Sequence, residues 1–497
     1  MFGRKLIFAA ALLAGTSLGA MAAGTATVTP VTNVPADGVI YGFLLTDGSL
    51  LFQGGLLQDF YRFKPDSKGS YANGTLYPAA SLPPNYIPYA TSGGVLPDGR
   101  VLLIGGEYTL LSNNTLTFAF TNQMAIYDPN ADTWTMIAPP FNTAGDWDFI
   151  GDSPWALLPN GHLLLGEKFS KAMAEFNPKT LRWTNVSSHA KDDIFAEEGL
   201  TLLPDGSVLD VNVTDPNFAQ RFIPNANPAN SGWVNAGSTP ERLPTIGDTN
   251  SAKNIIYDNG MRVYHPPGEI GPAILRPNGT VFNSGAACTL KGPPTDPDAC
   301  VTYQPVAHTA IYDITTNSWT AGPDLPTHGA LGGEGAGDTW SSLLPNGNVL
   351  VQTNPPGITD DRLKRANVRY ASIRAHTGHL APEAAGAAAP GFAPEATTAA
   401  TACPQTSIWR LYEFNGTSLI PEPAGSMCNN QPSLLLLPTG EVMLNLNFVY
   451  KSSGTFLNVW RPTITSFLFS NNVNPGGTYQ IFGRQFGSSL VTVHTPG

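Results

Sequence analysis

Charge is scarce in this chain, and basic residues are fewer than acidic ones. Only 13% of the 497 residues are charged, and the excess of Asp and Glu gives a net charge of −11. Proteins that bind nucleic acid or anionic membranes group Lys and Arg side chains to neutralise phosphate. The composition therefore argues against both partners. It is compatible with a cation, a glycan, a small molecule or another protein.

Several catalytic motifs also lack support. The one G-x-S-x-G match, at residues 15–19, lies in the apolar segment at the start of the chain and is no strand-to-helix elbow. No phosphate-binding glycine loop occurs, so hydrolase and nucleotide-binding functions have no support. No C-x-x-C spacing occurs, which argues against a structural zinc site. The eight histidines show neither H-x-H nor H-x₃-H spacing, so no other metal-ligand pattern stands out.

A long apolar run occurs only at the start of the chain. Arg4 and Lys5 precede the apolar residues 6–15, and Ala20-Met21-Ala22 is a small-x-small cleavage site. This pattern predicts a signal peptide over residues 1–22 and a secreted or periplasmic protein. The alternative is an uncleaved anchor helix, although Gly and Ser interrupt the run. No later segment is apolar for 18 residues, so we expect no further contact with the membrane.

Cysteine is rare, and its order along the chain indicates local pairs. Cys288 and Cys300 lie close together, as do Cys403 and Cys428. In an oxidising compartment such pairs form disulfides, each contributing about 3 kcal/mol for a short loop. Free buried thiols are the alternative.

Glycine and proline are abundant, at 51 and 44 residues, and seven glycines belong to a repeated phrase. Each lies between two apolar runs and mostly follows Asp or Asn, as in GGVLPDGRVLLIGG and PWALLPNGHLLLG. This phrase predicts β-hairpins with type I′ turns. The seven glycines are Gly48, Gly99, Gly161, Gly206, Gly279, Gly347 and Gly440.

A second hairpin follows most of these phrases. An aromatic residue precedes Trp by about seven positions, as in Tyr127 with Trp134 and Phe176 with Trp183. Two hairpins make a four-stranded sheet, and seven such sheets arranged radially make a β-propeller. We expect the strand within residues 25–32 to close the ring as the outermost strand of the last blade. We also expect the chain to be a monomer.

The succession of inner strand, double glycine and Tyr…Trp outer hairpin resembles the kelch repeat. The glycine pairs Gly54-Gly55 and Gly105-Gly106 match it, and later blades lose them. The resemblance implies an all-β, seven-bladed kelch-type propeller over residues 23–462. An irregular array of β-sandwiches is the alternative fold. Residues 379–401 lack apolar periodicity and predict a disordered surface loop.

The last part of the chain resembles a different domain. From Arg461 the sequence is similar to the opening of the Ig-like (E-set) domain that follows the propeller in galactose oxidase-like and glyoxal oxidase-like proteins. Residues 463–497 are about a third of such a domain. We therefore expect an incomplete Ig-like segment there.

Acidic residues recur where the inner strands begin. Propellers bind ligands at the mouth of the central channel, where the segments leading into the inner strands converge. Asp152, Glu197, Asp338 and Gln431 lie nine residues before a turn glycine, Glu269 lies ten before one, and Glu198 follows Glu197. Carboxylates that face one another across a ring repel unless a cation or hydrogen-bonding ligand lies between them. Solvated or backbone-capping acids are the alternative.

The resemblance to copper-radical oxidases implies a different site. That family places a Tyr-His copper pair in an R-x-Y-H-S phrase. Here Arg262, Tyr264 and His265 match it, but Pro266 replaces the serine. The family's cross-linked cysteine has no counterpart. We therefore predict a binding module for a cation, glycan or protein at an acidic channel mouth. A copper oxidoreductase acting on alcohols or aldehydes is the alternative, and a pure interaction scaffold is a third possibility.

Overall fold

A computed structural model defines the architecture. The described residues are 26–110, 116–140, 147–148, 150–213, 217–243, 255–258, 261–264, 269–286, 306–329, 332–355, 408–422, 427–428, 433–453, 463–467, 478–484 and 492–494. In this part of the chain the structure is almost entirely β, and its one helix is the 3-10 turn Pro228–Asn230. None of the described helices has the length and apolar character needed to span a bilayer.

Seven antiparallel sheets with four main strands each form the blades of a β-propeller. The innermost strands of blades 1 to 7 are Val39–Leu44, Ser92–Val95, Trp155–Leu157, Thr201–Leu202, Ala273–Leu275, Ser341–Leu343 and Leu434–Leu436. The second strands are Leu50–Gly54, Val101–Leu110, Leu163–Gly166, Val208–Val211, Thr280–Ser284, Val349–Thr353 and Val442–Leu444. Every repeated glycine phrase thus forms the hairpin of one blade's first two strands, as predicted.

The two outer strands complete each blade. The third strands are Phe60–Lys64, Leu116–Asp128, Met173–Asn177, Phe218–Ile223, Thr309–Asp313, Ile408–Phe414 and Phe448–Lys451. The outermost strands are Thr75–Ala79, Thr133–Ile137, Arg182–Val186, Gly232–Ser238, Ser318–Ala321, Leu419–Pro421 and, for blade 7, Thr27–Pro30. The first described strand therefore pairs with Phe448–Lys451 and closes the ring, which confirms the predicted closure.

The inner hairpins turn differently from the type I′ prediction. All seven repeated glycines have φ between 82° and 87°, but the residue before each glycine is not in the left-handed region. In blade 1, Gly48 N–H donates to the Leu45 carbonyl (3.0 Å), as in a type I turn followed by a left-handed glycine. Asp47 Oδ1 accepts the Ser49 N–H (3.0 Å), which explains the acidic or amide residue before the glycine.

The aromatic pairs of the outer hairpins hold neighbouring blades together. Tyr127 lies directly opposite Trp134, and their ring centroids are 5.1 Å apart. The Trp134 Nε1–H donates to the carbonyl of Ala80 in the preceding blade (2.9 Å). Trp183 makes the same bond to Ala138 (3.0 Å). Each such Trp therefore packs within its own blade and bonds to the one before it.

The hydrophobic core lies between blades rather than in one centre. Leu102 and Ile104 of blade 2 pack with Leu163 and Phe176 of blade 3 in one buried cluster. Strands that are covered on both faces have nearly continuous apolar sequences, and the inner strands of these blades have such sequences. Because each sheet buries both faces against its neighbours, the ring holds the channel end of every blade in a fixed place.

Some elements lie outside the four-strand pattern. Pro88–Tyr89 pairs with the second strand of blade 2, and Met427–Cys428 pairs with the third strand of blade 6. Ile255–Asp258 and Met261–Tyr264 form a separate hairpin. A further three-stranded antiparallel sheet consists of Thr463–Phe467, Thr478–Arg484 and Thr492–His494. That these three strands begin an Ig-like domain stays a prediction.

Some sequence predictions fall outside the described residues. They concern the signal peptide over 1–22, the loop over 379–401, and Cys288, Cys300 and Cys403. Cys428 is described only as part of its short strand. Both disulfide pairings therefore stay predictions.

Candidate functional site

The end of the ring opposite the inner hairpin turns collects acidic side chains. In an antiparallel hairpin, the start of the first strand and the end of the second lie at the same end. Asp152, Glu197, Glu269 and Asp338 precede the inner strands of blades 3, 4, 5 and 6. Glu107, which the sequence analysis missed, lies near the end of the second strand of blade 2. Together these five carboxylates are called the acidic mouth.

The carboxylates of the acidic mouth are close enough to share a ligand. Oxygen atoms of Glu107, Asp152 and Glu197 lie within 4.8 Å of one another, and so do those of Glu197, Glu269 and Asp338. Glu197 belongs to both groups and joins them. Glu107 and Glu269 are buried, whereas the other three are partly exposed. The acids are therefore accessible from the channel while their outer members are fixed in the protein.

Backbone hydrogen bonds between blades fix the segments that bear these acids. The Asp152 N–H donates to the Ala90 carbonyl of blade 2 (3.2 Å), and the Ala196 N–H donates to the Lys168 carbonyl of blade 3 (2.7 Å). Glu197 and Glu269 form an isolated parallel bridge between blades 4 and 5. The convergence of the acids thus follows from contacts between backbones, which side-chain rotation cannot undo.

Two glycines allow blades 2 and 3 to approach closely. The Gly106 N–H donates to the Ile150 carbonyl (2.6 Å), and a Cβ on Gly105 would clash with that same carbonyl. A Cβ on Gly151 would lie 2.6 Å from the Glu107 nitrogen. The glycine pair that resembles the kelch repeat is therefore required here to bring the segments of Glu107 and Asp152 together.

One buried lysine lies among these acids. The Lys168 side chain is fully buried and donates to Glu107 Oε1 and to Glu197 Oε1, the latter at 2.7 Å. Its ammonium also lies 5.5 Å from the centroid of the Phe120 ring. A buried charge is tolerated when paired in this way. Lys168 therefore holds Glu107 and Glu197 in place and neutralises part of the acidic mouth.

The remaining negative charge shifts the ionisation of Asp152. Burial raises the pKa of Asp152 well above its ordinary value, and the charges of Glu107 and Glu197 raise it further. Asp338 adds to this shift, while Lys168 opposes it. The group accordingly keeps a proton over a wider pH range than an ordinary Asp. A bound cation would favour the ionised form.

Two of the acids have strained backbones. Asp152 has φ 44° and Asp338 has φ 51°, in the left-handed region that non-glycine residues rarely adopt. Ala196, directly before Glu197, has φ 45°. Such conformations cost roughly 1–3 kcal/mol each and cluster at functional sites. Blades 3, 4 and 6 therefore share the same unfavourable geometry at or beside their acids.

Glu198, which the sequence analysis assigned to the acidic mouth, belongs to a different cluster. It is buried, and its Oε1 accepts the Val213 N–H (3.2 Å). The buried Lys191 Nζ bonds Glu198, Asp193 and Asp210 at 3.1, 2.6 and 2.8 Å. Burial alone would lower the pKa of Lys191, but the three carboxylates outweigh it and raise that pKa. Since successive side chains of an extended segment point to opposite sides, Glu197 and Glu198 occupy separate sites.

Three other predicted site residues are Tyr264, His265 and Gln431. Tyr264 ends the hairpin opposite Ile255, in a two-stranded sheet separate from the blades. His265 and Gln431 lie outside the described residues. The alternative copper pair thus stays a prediction.

Glu107 and Lys168 could have been found by counting forward from the turn. They lie eight residues after Gly99 and seven after Gly161, respectively. Counting only backward from each turn glycine finds residues before the first strand. It misses the residues that leave the second strand at the same end of the hairpin.

Comparisons with known proteins give similarities of shape only. No protein-family model matches the chain, and no curated protein matches its sequence. Among solved structures, a novel fungal alcohol oxidase of the AA5 family in complex with copper is 16% identical, with a TM-score of 0.43 over 63% of this chain and 57% of its own. The matched part thus spans less than two thirds of that oxidase.

Two further solved structures are similar. The protein YjhT is 11% identical with a TM-score of 0.41, over 65% of this chain and 93% of its own. A streptogramin B lyase is 10% identical with a TM-score of 0.44, over 86% of this chain and 96% of its own. None of these similarities extends to a ligand or reaction of this chain.

Proposed function

We propose that this chain is an exported binding propeller whose acidic mouth takes up a cationic ligand. The observation that supports this proposal best is the convergence of five carboxylates from five successive blades in two groups that share Glu197. Acids that merely cap backbones or face solvent have no reason to meet at one point. A ligand that binds all of them gives such a reason.

Electrostatics favour a cation over a neutral ligand. Two carboxylates about 5 Å apart repel by about 3 kcal/mol at an effective dielectric constant of about 20. Lys168 pairs with Glu107 and Glu197, and oxygen atoms of Glu197, Glu269 and Asp338 also lie within 4.8 Å of one another. A positive ligand near Glu269 and Asp338 would relieve the remaining repulsion and would bind with that energy.

Backbone strain supports the same proposal. Folding would be easier with glycine at Asp152 and Asp338, since both adopt left-handed φ values. A carboxylate at a strained position destabilises the fold in two ways. Its backbone conformation is unfavourable, and the neighbouring carboxylates repel it. This combination is typical of sites kept for function at the expense of stability.

A thermal-shift experiment tests the proposal. The whole chain is compared with Asp338→Asn and with Glu241→Gln, which removes an exposed acid elsewhere. Calcium, alkylammonium ions and neutral sugars are added separately. A cation at 100 times its dissociation constant should stabilise the native chain by about 2.7 kcal/mol. Asp338→Asn should lose this shift, and Glu241→Gln should keep it.

Other results would contradict cation binding. A shift with neutral sugars alone would indicate a glycan module. Binding of a protein that survives Asp152→Ala with Asp338→Ala would indicate a scaffold. One copper per chain, with peroxide released from an alcohol or aldehyde, would indicate the oxidase.

Export and disulfide bonding are part of the same proposal and have their own tests. N-terminal sequencing should show that the exported protein begins directly after Ala22. A chain that keeps residues 1–22 would contradict cleavage. A thiol assay on natively isolated protein should find none of the four cysteines free. Four reactive thiols would contradict the pairs Cys288–Cys300 and Cys403–Cys428.

A further inference from the structure

An exposed aromatic side chain stands beside the acidic mouth. Trp340 is 41% exposed and lies two residues after Asp338, just before the inner strand of blade 6. Its ring centroid is 6.5 Å from that of Tyr41, with 33° between the planes. Tyr41 belongs to the inner strand of blade 1, and blade 7 separates these two blades. Rings from blades on either side of a third meet only where the inner strands converge, so this pair lies at the channel mouth.

The aromatic pair adjoins the carboxylates. The Tyr41 hydroxyl is hydrogen-bonded to Thr91 of blade 2. Burial raises the pKa of that hydroxyl, and the charge of Asp152 raises it further, which places the two groups near each other. The backbone of Trp340 is held on both sides by Gln352, whose Oε1 accepts the Trp340 N–H (3.2 Å) and whose N–H donates to the Trp340 carbonyl (3.2 Å). An exposed ring on a backbone that is held on both sides therefore borders the acids.

Two buried polar atoms near the acids have no hydrogen-bond partner among the described residues. They are Ser153 Oγ, directly after Asp152, and Asn354 Oδ1. Ser153 and Asn354 are 3% and 2% exposed. The Asn354 amide donates from Nδ2 to the Gly337 carbonyl (2.8 Å), so it lies beside Asp338. Both atoms can accept a hydrogen bond, and buried acceptors are normally satisfied.

These features distinguish between two kinds of cation. Calcium and magnesium require oxygen ligands, and an indole face adds nothing to their binding. An organic ammonium ion donates several N–H bonds to carboxylates and other acceptors, and its positive charge is attracted to an aromatic face, best of all to Trp. Its carbon chain can also cover the exposed indole.

We propose that the acidic mouth binds an organic ammonium ligand. The ammonium group lies among Glu197, Glu269 and Asp338, and the adjoining carbon chain lies against Trp340. This inference rests on the proposed cation binding and names the chemical class of the cation.

Calorimetric titration of the whole chain tests the inference. The probes are n-butylammonium chloride, the neutral n-butanol and calcium chloride. We expect n-butylammonium to bind and n-butanol not to bind. Trp340→Ala should weaken n-butylammonium binding about fivefold to tenfold, and Trp340→Phe should restore most of it. Tyr77→Ala removes a similarly exposed aromatic from an outer strand and should match the native chain.

The outcomes separate this inference from the proposed function. If Trp340→Ala binds n-butylammonium as tightly as the native chain while Asp338→Asn does not, the aromatic contact is wrong and cation binding stands. Preference for calcium, unchanged by Trp340→Ala, would also overturn the inference alone. If no cation binds, both the inference and the proposed function fail.

Discussion

Replacing Asp152 by Asn should stabilise the free protein. Oxygen atoms of Glu107 and Glu197 lie within 4.8 Å of the Asp152 carboxylate, so each ionised pair repels by about 3 kcal/mol at an effective dielectric constant of about 20. Lys168 offsets part of this repulsion. Since Asp152 can avoid part of the penalty by keeping its proton, we expect a net gain of about 1–3 kcal/mol. Asn tolerates the left-handed φ of 44° as Asp does, so the backbone strain is unchanged.

The gain should depend on pH in one direction. The pKa of Asp152 is raised in the folded chain, whereas in the unfolded chain it is near 3.9, roughly the ordinary value. Below the unfolded pKa both states are protonated, and the substitution should change little. As the pH rises above it, the unfolded state ionises first, so the native chain loses stability relative to Asp152→Asn. The advantage of Asp152→Asn therefore appears above about pH 4 and grows until the folded carboxyl also ionises.

Urea unfolding at several pH values measures this effect. Glu241→Gln is the control, because it removes an exposed acid outside the acidic mouth. We expect a higher urea midpoint for Asp152→Asn than for the native chain at neutral pH. The two midpoints should converge near pH 4. A loss of stability at neutral pH would refute the reasoning, because it would mean that ionised Asp152 stabilises the free protein.

Three further changes have defined outcomes. Lys168→Met should lower the free energy of unfolding by about 3–5 kcal/mol, because it leaves buried carboxylates unpaired, and an unchanged urea midpoint would show that the lysine contributes nothing. Gly151→Ala should weaken both stability and cation binding through its clash with Glu107, whereas Gly199→Ala, which has open space, should change neither in the same assays. Deleting residues 27–30 should open the ring and abolish cooperative thermal unfolding, and a native-like transition would contradict closure by that strand.

The sequence predicted the ring well because hairpin chemistry is local. A glycine after Asp or Asn between apolar runs identifies a turn without knowledge of the rest of the fold. The error in turn type has a local cause too. The Asp47 side chain accepts the Ser49 N–H, whereas a type I′ turn would require a positive φ at Asp47, which that residue does not adopt. Ring closure followed from counting strands, since a seventh blade needed a partner from the start of the chain.

The acidic mouth was predicted less completely, because it depends on contacts between blades. Ring symmetry was sufficient to find Asp152 and Asp338 from their distance to a turn. It could not show that Glu198 turns toward Lys191, because that pairing is a side-chain contact between segments that are apart in the sequence pattern. Nor could it show that Lys168 enters the same site, because a lysine in a loop is normally exposed to solvent.

Proton release on cation binding tests the central claim most directly. Titration of the whole chain with n-butylammonium or calcium, in two buffers of different ionisation enthalpy, gives the number of protons exchanged. Because a cation among the carboxylates favours ionised Asp152, binding should release protons and tighten as the pH rises. The triple variant Glu197→Gln, Glu269→Gln, Asp338→Asn should show neither binding nor release. Cation binding that is independent of pH and survives the triple variant would contradict the account, because the cation would then lie elsewhere.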